Sequence, residues 1–228
     1  MRRTVLFLAL ACSCGAASAA SGSATFTFTT DYLFDGVSQT AGGEDDNFNP
    51  AAQASFDIAG DNGFYFGVWA SNVDFGPGDP ANIEIDYYLG FAGGEEGGWG
   101  WDVGALFYTY QGAPTSYDYA EGKLGVTAPF GTNATVFFGD DDLLGGKFYR
   151  AKLKHSFALG DVYSLDLEAT RTNYDNDEFD DFNHGQIGVS RDIGMFSAYL
   201  GYSDTSQDDN PNADGRVVFT LSTSIDVF

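Results

Sequence analysis

The sequence predicts an all-β chain, an antiparallel transmembrane β-barrel of about twelve strands. Three observations predict it. Segments of about ten residues alternate apolar with polar side chains, the connections between them alternate long with short, and beyond the N-terminal run no stretch is apolar enough to span a bilayer as a helix. In the first segment Ala24, Phe26, Phe28, Tyr32 and Phe34 share one face, and Thr25, Thr27, Thr29 and Asp31 share the other. Ile83, Ile85, Tyr87, Leu89 and Phe91 oppose Glu84, Asp86 and Tyr88 in the same way. So do Tyr163, Leu165, Leu167 and Ala169 against Ser164, Asp166 and Glu168. A period of two is a strand between two environments, here lipid and a polar lumen.

Residues 1–20 read as an export signal and 21–228 as the barrel. Arg2 and Arg3 precede the short apolar run Val5–Ala11. Ala17-Ser18-Ala19 and Ser18-Ala19-Ala20 both offer the small residues that signal peptidase cuts after. A lipoprotein cut before Cys12 fits less well, because Ala9 stands where leucine is usual. Cys12 and Cys14 are the two cysteines, and both leave with the signal. The mature chain then has no disulfide framework and no thiolate metal site.

Twelve strands follow, near 24–37, 50–58, 63–73, 82–92, 99–110, 117–127, 133–139, 147–157, 162–171, 184–191, 195–203 and 216–227. An even number returns both ends to one rim. Long polar connections follow the odd-numbered strands: Gly42-Gly43-Glu44-Asp45-Asp46, then 74–80, 111–116, 140–146, 173–181 and 204–215. Tight turns follow most even ones, as in Gly60-Asp61-Asn62-Gly63, Leu159-Gly160-Asp161 and Arg191-Asp192-Ile193-Gly194. Gly, Asn and Asp supply the positive φ that such turns need. Sorting loops by length onto two rims is the asymmetry of an outer-membrane barrel.

Composition narrows the function classes. The chain carries 33 acidic and 10 basic residues. Two of the basic ones lie in the signal, so the mature chain sets 8 against 33, a net charge of −25. Such a protein does not bind nucleic acid through its phosphates. Thirty glycines with 21 Phe, 13 Tyr and 3 Trp favour strands and turns over helices. Trp69, Trp99 and Trp101, with the tyrosines, suit aromatic girdles at the two interfaces, although the face of Trp69 is ambiguous.

Several segments resemble a known family. They are Thr29-Thr30-Asp31-Tyr32-Leu33-Phe34-Asp35-Gly36-Val37-Ser38-Gln39-Thr40, Gly63-Phe64-Tyr65-Phe66-Gly67-Val68-Trp69-Ala70-Ser71-Asn72-Val73, Glu84-Ile85-Asp86-Tyr87-Tyr88, and Asp102-Val103-Gly104 through Tyr108-Thr109-Tyr110. Over residues 24–112 the chain resembles the TorF family of porins from Gram-negative bacteria. The resemblance implies an outer-membrane β-barrel, in a family whose own function is largely inferred. Two positions depart from the family: Asp35 stands where it usually has arginine, and Gln111 follows Tyr110 where it has proline. An ion pair made by that arginine would be lost or rearranged here.

The lumen face supplies the candidate site residues. The fourth strand offers Glu84 and Asp86, the fifth Asp102, and the sixth Glu121 and Lys123. The eighth offers Arg150, Lys152 and Lys154, and the ninth Asp166 and Glu168. Each of those three cations would cost about 2–4 kcal/mol near the midplane of the lipid face, so this face points inward. A hairpin turning near Gly160 sets Lys154 and Lys152 opposite Asp166 and Glu168, or slipped by one pair. As a selectivity lining, the basic stripe would face the acids of strands four and five and attract a zwitterionic or anionic solute. The plainer alternative is a charge network that fills a narrow barrel.

Other features carry less. Acids Asp175, Asp177, Glu178, Asp180, Asp181, Asp208, Asp209 and Asp214 could hold Ca²⁺, but the EF-hand pattern fails and solvated loop charge is the simpler reading. His155 falls on the outward face. His184 falls inward beside Gln186 and Ser190, where a Ser-His-acid site has no supporting motif. Gly93-Gly94-Glu95-Glu96-Gly97-Gly98 lacks the lysine of a phosphate loop. Phe228 ends the chain, as barrels often do, but Val217, Phe219, Leu221, Ile225 and Val227 are out of step with it. If Thr25 opposes Asp226 at the closure, Asp35 opposes Arg216. The expected protein is a narrow diffusion pore for small hydrophilic solutes. It would be cofactor-free and non-enzymatic, in contact with outer-membrane lipid and lipopolysaccharide and inserted by the barrel-insertion machinery. The rivals are a non-conducting barrel of envelope or surface function and a secreted sugar-binding β-sandwich.

Overall fold

The computed structural model describes residues 20–42, 48–141, 146–177, 179–207 and 209–228. The expected export signal, up to its last residue Ala20, lies outside them, as do loop acids Glu44, Asp45, Asp46, Glu178 and Asp208. The strands are β1 (Ala20–Thr29), β2 (Leu33–Phe34), β3 (Val37–Ser38), β4 (Ala51–Gly60), β5 (Phe64–Asn72), β6 (Ile83–Gly94), β7 (Gly100–Gln111), β8 (Tyr119–Thr127), β9 (Asn133–Asp141), β10 (Gly146–Leu159), β11 (Tyr163–Tyr174), β12 (Phe182–Ile193), β13 (Phe196–Thr205) and β14 (Arg216–Asp226). Twelve of them close into one antiparallel barrel, with β1 paired to both β4 and β14. The remaining two, β2 and β3, pair only with each other.

The exterior is apolar because the alternation makes it so. Phe26, Leu89, Leu153 and Leu200 are 52, 48, 50 and 55% exposed on outward positions. In water, an apolar band of this extent would drive association. A sandwich would bury those faces between two sheets, so the closed barrel removes that rival. Trp99 and Trp101 stand exposed at the short-turn end. Outward cations Lys147, Arg171 and Arg191 fall near strand ends, where long side chains can reach water.

Three expectations of register are corrected or resolved. The first strand does not run 24–37: β1 leaves the wall after Thr29, and residues 31–42 turn into the lumen. At the closure Ser23 opposes Asp226 and Thr25 opposes Ser224. Asp35 therefore does not meet Arg216, which pairs with Asp31 instead. Between β10 and β11 the slipped register holds, with Lys154 opposite Glu168 and Ser156 opposite Asp166. The out-of-step terminus also has a physical account. Phe228 lies beyond β14, and its carbonyl accepts from the Gly22 N–H at 3.0 Å. A Cβ on residue 22 would sit 2.6 Å from the Phe228 ring, so a larger residue there would push that ring aside.

Candidate functional site

A two-residue turn builds the site. Asp35 and Gly36 take φ of 49° and 86°, the paired positive values of a tight hairpin turn, and Leu33–Phe34 then pairs with Val37–Ser38. Asp31 anchors the hairpin base. It accepts from Ser38 Oγ at 2.5 Å, from Thr40 Oγ1 at 3.2 Å and from Arg216 Nη1 at 3.2 Å. Gly36 presses the tip onto the wall, where a Cβ would come within 2.6 Å of both His184 and Thr205.

The tip delivers Asp35 to the basic stripe of β10. Arg150 Nη1 lies 3.1 Å from Asp35 and Nη2 lies 2.7 Å from Glu121. Its guanidinium also stacks 4.5 Å from the Phe34 ring centroid and 4.4 Å from that of Phe137. Lys152 Nζ lies 2.6 Å from Asp35 and 3.0 Å from Glu168, and Lys154 Nζ lies 2.8 Å from Glu168. The expected anion-attracting stripe is thus neutralised inside the barrel, by an acid from the first loop and by wall acids.

The rest of the wall is different. The Tyr110 hydroxyl donates to Glu84 at 3.1 Å, and the Tyr32 hydroxyl interacts with the same carboxylate. Tyr108 donates to Glu121 at 2.9 Å. Asp86 is buried beside Glu84. Further along the wall, Asp102 accepts from Lys123 at 2.9 Å and from the Tyr65 hydroxyl at 2.8 Å. On β11, Asp166 accepts from Ser156 at 2.6 Å.

The hairpin divides the lumen. Toward the short turns lies a cavity of about 910 Å³ lined by Asp102, Lys123, Lys152, Lys154, Asp166 and Glu168, with Tyr32 and Leu33 on the hairpin side. Toward the long loops lies a cavity of about 430 Å³ with Phe34, Asp35 and Arg150 at its floor and aromatic rings around it. All ten candidate residues point inward, but Glu84, Asp86 and Glu121 are covered and line neither cavity. Trp69 also points inward. It lines the larger cavity and meets Tyr32 edge-on at 5.3 Å, so it belongs to no interfacial girdle.

The histidines resolve by their contacts. His155 lies between outward Leu153 and Phe157, with Nδ1 2.8 Å from Thr132 Oγ1. His184 Nε2 is 3.0 Å from Ser203 Oγ, and its Nδ1 is 3.7 Å from Glu168. The order Ser-His-acid is present, but Ser203 is 1% exposed, which leaves no approach for a substrate carbonyl. Among the described residues Asp35, Glu168 and His184 bring ligand atoms within 4.8 Å of one another. Lys152 bridges two of those three groups, so the charge a metal would supply is already there. In the loops, Asp181 is engaged by the Tyr174 N–H, Asn173 and Arg171. The Tyr174 N–H, followed by the other two, holds its carboxyl below the ordinary range.

The sequence reading set Asp31 on the polar face but counted neither Asp31 nor Asp35 among the candidate site residues. The available signal was Asp35-Gly36 itself, flanked by Leu33-Phe34 and Val37-Ser38: a hairpin signature inside what read as one long strand.

A closed antiparallel barrel with an apolar exterior and a charged, partitioned lumen has the architecture of porins. The solved KdgM porin is similar in fold, with a TM-score of 0.58 at 8% identity, covering 89% of this chain and 97% of that one. The NanC porin gives 0.57 at 8% identity, covering 90% and 98%. No curated protein matches in sequence. The chain belongs to the family described as "Bacterial protein of unknown function (Gcw_chp)", whose family model matches residues 13–225.

Proposed function

We propose that this chain is a narrow outer-membrane porin of the TorF type, passing small hydrophilic solutes by passive diffusion, with weak preference for cations. Residues 1–20 would direct export and be removed, and the barrel-insertion machinery would seat the barrel among lipid and lipopolysaccharide. The long loops would face outward and the short turns the periplasm. The observation that carries this reading is the pair of cavities on either side of the hairpin, inside a closed barrel whose exterior is apolar. Solute would pass Arg150 above the hairpin, then Lys152, Lys154, Glu168, Asp166, Asp102 and Lys123 below it. Glu84, Asp86 and Glu121 would act through their field rather than by contact. Cation preference follows because the cations of β10 already have partners, while Asp166 on the larger cavity meets only the Ser156 hydroxyl. The β6 acid pair, too close together to ionise twice, also lacks a cation among the described residues.

Single-channel recording of the folded mature protein tests this. Steady steps are expected, with a reversal potential in a salt gradient on the cation side. Silence from protein shown to be folded and inserted would favour the non-conducting barrel. That rival has its own support: Asp31, Asp35, Arg150 and Arg216 are each at most 4% exposed, so the hairpin contact is tight.

A further inference from the structure

We propose that the cavity at the long-loop end is a binding site for a small organic ammonium ion. At about 430 Å³ it falls within the range of small-ligand sites. Its wall is a chain of touching rings. Phe75 meets Tyr110 at 5.7 Å, Tyr110 meets Tyr117 at 6.2 Å, and Tyr174 meets Phe182 at 6.5 Å between centroids. Tyr119 completes the lining between them. Ring faces carry negative potential and attract a weakly hydrated cation, most strongly where water is excluded.

Charge makes the choice among solutes. Asp79 lines the same cavity, held in place by the Tyr117 hydroxyl at 2.8 Å and the Ala81 N–H at 2.9 Å. Behind Tyr110 stands Glu84, bonded to its hydroxyl, with Asp86 next to it. Neither has an ion-pair partner among the described residues. The one cation at the cavity floor, Arg150, is held by Asp35 and Glu121. The long loops around it add Asp74, Asp118, Asp175 and Asp209 against Lys147 and Arg171, an excess of acids that would raise the local concentration of cations. An anion must pass Asp79 to reach Arg150, whose charge Asp35 and Glu121 already match. A neutral polyol could use the rings but gains nothing from Asp79.

Binding needs no conduction, so the site and the pore reading can fail separately. The test is calorimetric titration of the full barrel in a polyoxyethylene detergent, because a choline headgroup would compete. The probes are choline chloride, its neutral isostere 3,3-dimethylbutan-1-ol, and methanesulfonate. Choline is expected to bind at least tenfold more tightly than either comparison. Tyr117→Leu and Asp79→Asn should each weaken it about three- to tenfold, and Tyr117→Phe should keep most of the affinity because the ring remains. Heat-modifiable migration on gels checks that each variant is folded, and Phe157→Leu on the lipid face should bind as the parent does. Equal binding of the neutral isostere would overturn the proposal. So would no binding to folded barrel, or unchanged affinity in the Tyr117→Leu/Asp79→Asn double variant.

Discussion

The two sides of this lumen handle buried charge in opposite ways. On β10 three cations in a row each meet carboxylates at salt-bridge distance, and one of those carboxylates, Asp35, comes from a loop. On β6 Glu84 meets two tyrosine hydroxyls, Asp86 is buried beside it, and neither acid meets a cation among the described residues. The β10 side therefore binds the hairpin, and the β6 side leaves its acids without a counter-charge among the described residues. A buried ion pair is costly to break, because removing one partner leaves the other charged and unsolvated. A tyrosine-capped carboxylate is more forgiving, since the hydroxyl can donate to any acceptor of the same shape.

Substitutions can break or sharpen this contrast. Asp35→Ala should have the largest effect, because Arg150 and Lys152 both lose a partner. The expected loss is about 3–5 kcal/mol, read as a lower unfolding midpoint of the detergent-folded barrel. Conductance should rise as the hairpin loosens, and an unchanged midpoint with unchanged conductance would mean that charge does not hold it. Gly36→Ala comes next, at about 1–3 kcal/mol, because it forces a side chain to a positive φ and into His184 and Thr205. It should open the channel in the same direction as Asp35→Ala without changing any charge, which separates docking from electrostatics.

On the other wall Glu84→Gln should alter stability by no more than about 1 kcal/mol, because the amide oxygen still accepts from the tyrosines. Its expected signature is a reversal potential less biased toward cations. A loss as large as that of Asp35→Ala would erase the distinction between the two walls. Lys154→Gln should be the mildest. Its side chain is 40% exposed and pairs only with Glu168, so screening leaves at most about 1 kcal/mol. Ion selectivity should still move further toward cations, because Lys154 lines the larger cavity.

Much of the barrel could be read from local pattern. The outward row Ile83, Ile85, Tyr87, Leu89 and Phe91 follows from alternation, and the same rule turned Arg150, Lys152 and Lys154 inward. The turn at Gly160 and the offset to β11 were bounded to two registers, of which the slipped one occurs. Trp69 was undecidable from its own strand, because its neighbours Val68 and Ala70 are only weakly apolar markers of a lipid face. The ring that explains it, Tyr32, meets it edge-on from the inserted segment.

The closure was the register that failed, and the reason is instructive. Counting Asp35 toward Arg216 assumed a register two residues from the observed one and a β1 that stays in the wall through residue 37. Once Asp35-Gly36 folds as a hairpin, Asp31 is the acid that reaches Arg216, and Asp35 crosses to β10. The choice is energetic: Arg150, Lys152 and Lys154 with only Glu121 and Glu168 would set three cations against two carboxylates, and Asp35 on the hairpin supplies the third.

By itself the sequence determined the alternation of faces, the number of wall strands and the sorting of long and short connections. These depend on a Cβ direction that reverses at every residue and on turn residues that act locally. Only the tertiary structure decided the closure register, the entry of residues 31–42 into the lumen and the pairing of Asp35 with a cation 115 positions away in the chain. Those depend on which charges are brought out of water together. That is a property of the closed barrel, because desolvation is set by everything that surrounds a group and not by its neighbours in sequence.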